Sequence, residues 1–278
     1  MSDDMSWTQR PSTFEPPKID TSVAHSARVY DFILGGKDNY PIDQAAADRM
    51  LESWPSLRVS MRENRKFMHR SARWIAQQGV DQFLDVGTGI PTSPNLHEIV
   101  QAVTPSARVV YVDNDPIVLA HAGARLTGTP EGRITYIHAD MNDPGAILDS
   151  PEVRDTLDFS RPVGLSMIAV LQFVLDDQAA YKLVRGYLDR LPSGSYLAIS
   201  TVTTDSSPKP MGTVVAEYAK RGIPARNRSR EEVEPFFHEL RLVDPGVVLV
   251  HNWRPDPGTA GEVQDTEVAM CGGVARKP

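Results

Sequence analysis

The residues of this 278-residue chain with the clearest chemical potential form one short stretch, Asp85-Val86-Gly87-Thr88-Gly89. An apolar run beginning at Phe83 leads into it and predicts a strand. Glycines at positions 87 and 89 can adopt positive φ and carry no Cβ, so the backbone of the turn can approach a ligand closely. A carboxylate just before such a turn suits a ligand with a cationic amine and would repel a pyrophosphate. The pattern therefore predicts a turn that binds a nucleotide-like cofactor.

The spacing in this turn separates two possible cofactors. A turn that binds a nicotinamide dinucleotide has the pattern G-x-G-x-x-G, whereas the sixth position here is Thr92 and Pro91 precedes it. The incomplete pattern, together with Asp85, favours S-adenosylmethionine. An NAD(P)-dependent oxidoreductase stays as an alternative, and so does a non-catalytic regulatory module that binds S-adenosylmethionine.

The elements that must position these residues follow an alternating pattern. After residue 79, short apolar runs alternate with helical stretches, which is typical of a parallel sheet with helices on both faces. We therefore predict an α/β protein with a doubly wound, seven-stranded sheet. The predicted strands are 82–86, 108–112, 134–138, 163–168, 195–201, 246–251 and 267–273.

Helical patterns dominate the chain before residue 79. The predicted helices there are 26–34, 43–52 and 56–78, with Gly35-Gly36 and Gly79 as stop signals. We expect a flexible arm over 1–20, an N-terminal helical cap over 21–78, and the cofactor-binding domain over 79–278 with a lid insertion at about 203–228. Ser93 with Pro94, and Ser229 with Glu232, are predicted helix starts.

The amino-acid composition argues against several functional classes of protein. The net charge of −7 and the pI near 5.5 argue against a nucleic-acid substrate, which clustered basic residues usually bind. The single cysteine, Cys271, excludes a disulfide framework and is predicted to lie in a buried strand. We find no metal-ligand spacing and no apolar run long enough for a membrane span. We therefore expect a cytoplasmic protein without a membrane partner.

Residues 79–278 resemble a class I S-adenosylmethionine-dependent methyltransferase, and successive motifs carry the resemblance. These are the stretch from Asp85 to Gly89, Val110-Tyr111-Val112-Asp113, Ile137-His138-Ala139-Asp140-Met141, the segment Leu165–Val174 and the turn Leu191–Leu197. The family implies a Rossmann-like sheet whose last strand is antiparallel. It also implies that Asp85 and its turn hold the methionine end, Asp113 accepts both ribose hydroxyls and Asp140 accepts from the adenine amino group.

The whole chain also resembles a narrower bacterial S-adenosyl methyltransferase family, first described as a domain of unknown function. The segment from Ala27 to Tyr40 marks it. This segment either closes over the cofactor, with Tyr30 or Tyr40 packing on it and Asn39 or Lys37 near its carboxylate, or is a helix stop and tight turn. The cofactor-binding residues implied are Asp85, Gly87, Thr88, Gly89, Asp113, Asn114, Asp140, Met141, Ala169, Tyr30, Gly36 and Asn39.

The methyl acceptor is less defined. Amino-directed nucleic-acid methyltransferases often carry Asn or Asp, two prolines and an aromatic residue after strand four, whereas this chain has Ala169-Val170-Leu171-Gln172-Phe173. This difference favours a small-molecule acceptor. Methyl transfer requires no dedicated base, so no catalytic residue is assigned. His25, His138 and His251 could each be a helper base or an ordinary packed or solvated histidine.

Overall fold

A mostly parallel sheet of eight strands organises the chain. The structure is a computed structural model that describes residues 20–118 and 127–278, so all but residue 20 of the predicted flexible arm lies outside the described residues. The strands are β1 (Gln82–Val86), β2 (Arg108–Asp113), β3 (Arg133–His138), β4 (Gly164–Ile168), β5 (Tyr196–Val202), β6 (Arg241–Leu242), β7 (Val248–Leu249) and β8 (Met270–Arg276).

Helices precede the sheet and connect its strands. They are α1 (Ser26–Leu34), α2 (Pro41–Ser53), α3 (Leu57–Gln77), α4 (Leu96–Gln101), α5 (Pro144–Asp149), α6 (Pro151–Arg154), α7 (Asp177–Leu188), α8 (Pro208–Lys220) and α9 (Arg230–Val233). Short 3₁₀ helices cover Leu171–Phe173, Glu234–Phe237, Val250–Asn252 and Asp265–Glu267.

The strand order is β3-β2-β1-β4-β5-β8-β6, with β7 also paired to β8. Strands β1 to β5 are parallel, and β8 runs antiparallel to β5. The order reverses between β1 and β4, and ligands of doubly wound sheets bind in the crevice at such a reversal. This arrangement confirms the predicted Rossmann-like class with an antiparallel last strand.

Side chains of the central strands point alternately to the two faces of the sheet, so the core consists of two layers. On β1, Phe83 packs in one cluster, whereas Leu84 and Val86 pack in the other. Tyr111 and Val110 of β2 divide in the same way. Side chains alternate between the faces of a strand, so a strand with helices on both faces is apolar throughout, as the sequence predicted.

The N-terminal helices differ in their relation to the sheet. Phe67 and Ile75 of α3 lie in the same cluster as Phe83, so α3 covers one face of the sheet. Helix α1 ends at Gly35, whose φ of 88° lies in the left-handed region, as predicted for a glycine stop. Helix α2 packs against α8, which occupies the predicted lid segment.

Three predictions at the ends of elements were wrong. The predicted strand 246–251 reduces to the two residues of β7, because Val243–Gly246 forms a turn before it and Val250–Asn252 forms a 3₁₀ helix after it. The last strand starts at Met270 rather than residue 267, because Asp265–Glu267 forms a 3₁₀ turn. Helix α4 starts after Asn95, which forms a capping box with Glu98, rather than at Pro94. The capping box of Ser229 and Glu232 is confirmed.

Candidate active site

A cavity of about 540 Å³ opens where the carboxyl ends of β1, β2 and β4 meet α1, α3 and α8. Ten of the twelve predicted cofactor-binding residues line it. These are Asp85, Gly87, Thr88, Gly89, Asp113, Asn114, Asp140, Met141, Ala169 and Tyr30. Gly36 and Asn39 are outside the lining. Motifs distant in the sequence therefore meet at one site.

The glycine turn after β1 is held by the end of β2. The N–H groups of Gly87 and Thr88 donate to the carbonyl of Val112 at 2.8 and 3.1 Å. Gly87 has a φ of +74°, and a Cβ at this position would come within 2.4 Å of Val170 Cγ2. Only glycine fits this turn without displacing the segment that follows β4.

Asp113 links the glycine turn to the loop that follows β2. Its Oδ2 accepts from Gly89 N–H at 2.8 Å, and its Oδ1 accepts from Asp115 N–H at 2.9 Å. Burial raises the pKa of this carboxyl group, although the two N–H donors act in the opposite direction. An ionised carboxylate has about four acceptor positions, so each oxygen of Asp113 can accept one further donor.

Asp85 lies beneath the turn with only 7% of its surface exposed. Burial raises its pKa, while the nearby hydroxyl groups of Ser166 and Thr88 and the positive charge of Arg65 oppose that rise. A buried carboxylate without a full counter-charge favours a cationic partner. This electrostatic environment matches the cationic amine expected from the sequence.

A chain of hydrogen bonds connects α1 to the end of β4. Asn64 Nδ2 donates to the hydroxyl of Tyr30 at 3.1 Å, and Ser200 Oγ donates to Asn64 Oδ1 at 2.6 Å. Ser200 in turn accepts from Ala169 N–H through its carbonyl and its Oγ, at 3.0 and 3.1 Å. This chain holds Ala169 at a φ of 54°, a strained conformation for a residue with a Cβ.

Gly36 and Asn39 serve the loop that follows α1. Asn39 Nδ2 donates to Asp31 Oδ2 at 2.8 Å and to Gly36 O at 3.1 Å. A Cβ on Gly36 would come within 2.0 Å of Asp31 Oδ1. The structure thus gives both residues a place in a tight turn around Asp31, which itself lines the cavity. A cofactor-binding role for Gly36 and Asn39 stays a prediction.

One part of the cavity lining differs from the rest in charge. It is formed by Leu171–Phe173, α8 and residues 222–225. Among the described residues, these elements contribute no charged side chain to the cavity. Met211 and Val214 of α8 are buried there, and the rings of Phe173 and Tyr218 meet edge to face at 6.5 Å. We call this part of the lining the uncharged wall.

The sequence profile of the S-adenosyl methyltransferase family matches residues 12–278. The chain belongs to this family. The protein is therefore an S-adenosylmethionine-dependent methyltransferase, and the NAD(P)-dependent alternative is set aside.

A solved structure of a DUF574-family protein from Streptomyces avermitilis is 56% identical, with a TM-score of 0.91, over 94% of this chain and 100% of its own. A candidate methyltransferase from Thermobifida fusca is 39% identical, with a TM-score of 0.86, over 96% of this chain and 99% of its own. No curated protein sequence gives a significant match.

Among the charged residues of the methyltransferase site that sequence reasoning missed is Arg65. It lines the cavity, and its Nη2 donates to the carbonyls of Thr92 and Pro94, the latter at 3.0 Å. A signal was available, because Asn64 and Arg65 interrupt the helical face that Met61 and Met68 share. Polar residues on an otherwise apolar helix face indicate that the face borders a cavity.

The three candidate helper histidines of the methyltransferase have different positions. His25 lines the cavity, and its Nδ1 lies 3.0 Å from Asp115 Oδ2, an atom that Arg28 also approaches at 3.5 Å. His138 bonds the carbonyl of Asn114, and His251 bonds Asp265, both outside the cavity lining. The contacts of His25 and Arg28 with Asp115 attach α1 to the loop that follows Asp113.

Within residues 20–118 and 127–278, no group of three or more His, Cys, Asp or Glu side chains is placed to hold a metal ion. Cys271 is buried in β8, and burial raises the pKa of its thiol to about 12. None of the described helices has the length and apolar character needed to cross a bilayer.

His69 gives the methyltransferase a testable acid sensitivity. Its Nε2 lies 3.0 Å from Pro94 O, so the neutral ring donates to the loop that Arg65 also holds. Burial, with the charge of Arg65 added, lowers the pKa of His69 to about 4. The unfolded chain takes up this proton near pH 6.5, so the free energy of unfolding should fall as pH decreases from about 6.5 to 4.

Allowing for the partial exposure of the ring, we expect His69 to account for about 2 kcal/mol of that loss. Urea unfolding at pH 7 and pH 4.5 measures it in the wild type and in His69→Gln. The variant should lose correspondingly less stability on acidification, because glutamine keeps an N–H donor without titrating. An identical loss in both proteins would contradict the assignment.

Proposed function

We propose that this methyltransferase transfers its methyl group to a small-molecule acceptor bound beside the cofactor in the same cavity. The observation that carries the proposal is which residues line the cavity. Residues of the cofactor motifs and the uncharged wall border one volume of about 540 Å³, a size typical of small-molecule sites. The net charge of −7 supports the same acceptor class over nucleic acid.

The residues around the glycine turn fit the adenosyl part of S-adenosylmethionine. Asp113 has acceptor capacity on both oxygens after binding Gly89 and Asp115, and two ribose hydroxyls would use it. A Cβ built on Gly89 meets nothing within 4 Å, so the turn leaves room for a ligand. The adenine amino group is assigned to Asp140, with the backbone N–H and side chain of Met141 beside the ring.

The methionine end is assigned to Asp85 and Arg65. The buried carboxylate of Asp85 suits an ammonium group, and Arg65 suits a carboxylate. A guanidinium has five N–H donors, and only its Nη2 is used for the carbonyls of Thr92 and Pro94. The two residues would thus recognise the two opposite charges of the amino-acid end.

S-adenosylmethionine supplies an electrophilic methyl group on a sulfonium, and the carbon–sulfur electron pair stays on sulfur when a nucleophile takes the methyl group. The protein contributes by positioning the two reactants and by excluding water from the site. Ala169, held by Ser200 at the end of β4, fixes the backbone that borders this region. Helix α8 closes the uncharged wall over it and excludes water, which is the lid role we propose for that segment.

Isotope transfer tests the proposed acceptor class. The purified protein is incubated with methyl-labelled S-adenosylmethionine and an extract of Streptomyces avermitilis, the source of a 56% identical relative, divided into fractions below and above about 1 kDa. We expect labelled product and S-adenosylhomocysteine with the low-mass fraction. Asp113→Ala is the matched inactive control.

Label in protein or nucleic acid instead would overturn the small-molecule assignment. Absence of any transfer, with S-adenosylhomocysteine binding confirmed by calorimetry, would favour the non-catalytic regulatory module.

A further inference from the structure

Ala169 combines a strained backbone with a place in the cavity lining. Among the described residues, three that are not glycine have positive φ: Ala169 at 54°, Glu239 at 64° and Arg254 at 43°. Glu239 and Arg254 are exposed and lie outside the lining, whereas Ala169 is half-buried and lines the cavity. Alanine has no polar side chain that could offset the strain locally, as Asn or Asp would. Bonds from elsewhere in the fold must therefore hold Ala169 in this conformation.

Ser200 of β5 holds the N–H group of Ala169. Its carbonyl and its Oγ accept from this N–H at 3.0 and 3.1 Å. A hydroxyl has one proton to donate, and that of Ser200 goes to Asn64 Oδ1 at 2.6 Å. The lone pairs of the same hydroxyl are thereby available to Ala169. Asn64 is fully buried and is held in turn by its bond to the hydroxyl of Tyr30.

Gln172 holds the carbonyl group of the same residue. Its Nε2 donates to Ala169 O at 2.6 Å. The backbone carbonyl of Gln172 accepts from Arg226 N–H at 2.8 Å, so the 3₁₀ helix that carries Gln172 is itself fixed to the segment after α8. Both polar backbone groups of Ala169 are therefore bonded within the protein, which opposes any relaxation of its φ.

The conformation of Ala169 determines where Val170 lies. Val170 lines the cavity beside the glycine turn, and its Cγ2 lies 2.4 Å from the position that a Cβ on Gly87 would occupy. A rotation about φ of Ala169 redirects the chain that follows it, so relaxation of the strain would move Val170 away from Gly87. The edge that Val170 and Gly87 form in the cofactor site thus depends on the strained residue.

We propose that Ser200 and Gln172 are positioning residues of the cofactor site, because they hold Ala169 in the left-handed conformation that keeps Val170 against the glycine turn. The inference rests on the proposed function, since it concerns the binding of S-adenosylmethionine at that turn. Strained residues of this kind persist where the surrounding structure maintains them, and they cluster at active sites. The strain at Ala169 lowers stability and in return fixes one edge of the site.

A glycine at position 169 separates this role from ordinary packing. Glycine adopts positive φ without strain, so it needs neither Ser200 nor Gln172 to hold it there. Calorimetric titration with S-adenosylhomocysteine measures the affinity of the full-length wild type, Gln172→Met, Ala169→Gly and the double variant. Gln172→Met keeps the volume and removes the N–H donor, and we expect it to weaken binding at least about fivefold. The double variant should return to within about twofold of the wild type.

Two control variants exclude an effect of general stability. Glu239→Gly relieves a similar φ at an exposed site outside the cavity, so adding it to Gln172→Met should raise the urea midpoint without restoring affinity. Gln101 is a buried glutamine outside the lining whose Nε2 also donates to an alanine carbonyl, that of Ala107, at 3.0 Å. Gln101→Met should lower stability and leave the affinity for S-adenosylhomocysteine unchanged.

Ser200→Ala removes one of the two acceptors of the Ala169 N–H and provides the same test if Gln172→Met does not fold. Full affinity in these variants, or a loss that glycine at position 169 does not recover, would overturn the inference while leaving the proposed function intact. Failure of the wild-type protein to bind S-adenosylhomocysteine would contradict the proposed function instead.

Discussion

Asp113→Ala is expected to weaken the binding of S-adenosylmethionine and S-adenosylhomocysteine by about 100-fold or more. Two ribose hydroxyls on an ionised carboxylate form charge-assisted hydrogen bonds, each with a contribution of about 1.5–3 kcal/mol. Their joint loss corresponds to more than two orders of magnitude in the dissociation constant. Removal of the carboxylate also releases Gly89 N–H, so the turn loses part of its support.

Calorimetric titration with both sulfur compounds and with NAD measures this effect. Asp113→Asn should fall between the wild type and the alanine variant, because its amide oxygen can still accept but carries no charge. Asp149→Ala removes an exposed carboxylate whose partners are Arg154 and Arg190, and should leave cofactor affinity unchanged. A variant that loses thermal stability but keeps full affinity would show that Asp113 only supports the turn.

Gly87→Ala is expected to destabilise the protein by about 2–5 kcal/mol. A Cβ in the left-handed region costs about 1–2 kcal/mol by itself. At this position it would also meet Val170 Cγ2 at 2.4 Å, and overpacking of this kind typically adds about 1–3 kcal/mol. Since Val170 lies between Ala169 and the 3₁₀ helix that carries Gln172, relief of the clash would also displace the uncharged wall.

Gly89→Ala is the matched control, because Gly89 has a similar φ of +69° and a Cβ there would meet nothing within 4 Å. It should cost only the backbone strain, together with some cofactor affinity where the new methyl group enters the cavity. Val170→Ala in the Gly87→Ala background should recover part of the lost stability. Equal losses of stability in the two glycine variants, measured by urea unfolding, would show that the contact with Val170 is unimportant.

The sequence alone was sufficient for the features that depend on local pattern. Strands β1 to β5 match their predicted limits within one residue at each end, because an apolar run between turn signals defines a buried parallel strand. The residues at the carboxyl ends of β1, β2 and β3 were also predictable as a set. Parallel strands place their carboxyl ends at one edge of the sheet, so Asp85, Asp113 and Asp140 converge whatever the detailed packing.

The tertiary structure decided the features that depend on how the helices pack. Asn64 and Arg65 interrupt an apolar face of α3, which indicates a cavity beside this helix, but only the packing of α3 shows that this cavity is the one at the ends of β1 and β2. Gln172 Nε2 donates to the carbonyl of Ala169, which has a φ of 54°, and neither feature can be read from the sequence pattern. Asn39, for which the sequence predicted a cofactor role, donates hydrogen bonds to Asp31 and Gly36, a contact that only the folded structure reveals. Strand limits and turn residues depend on short stretches of sequence, whereas the direction of each helix face results from the packing of the whole chain.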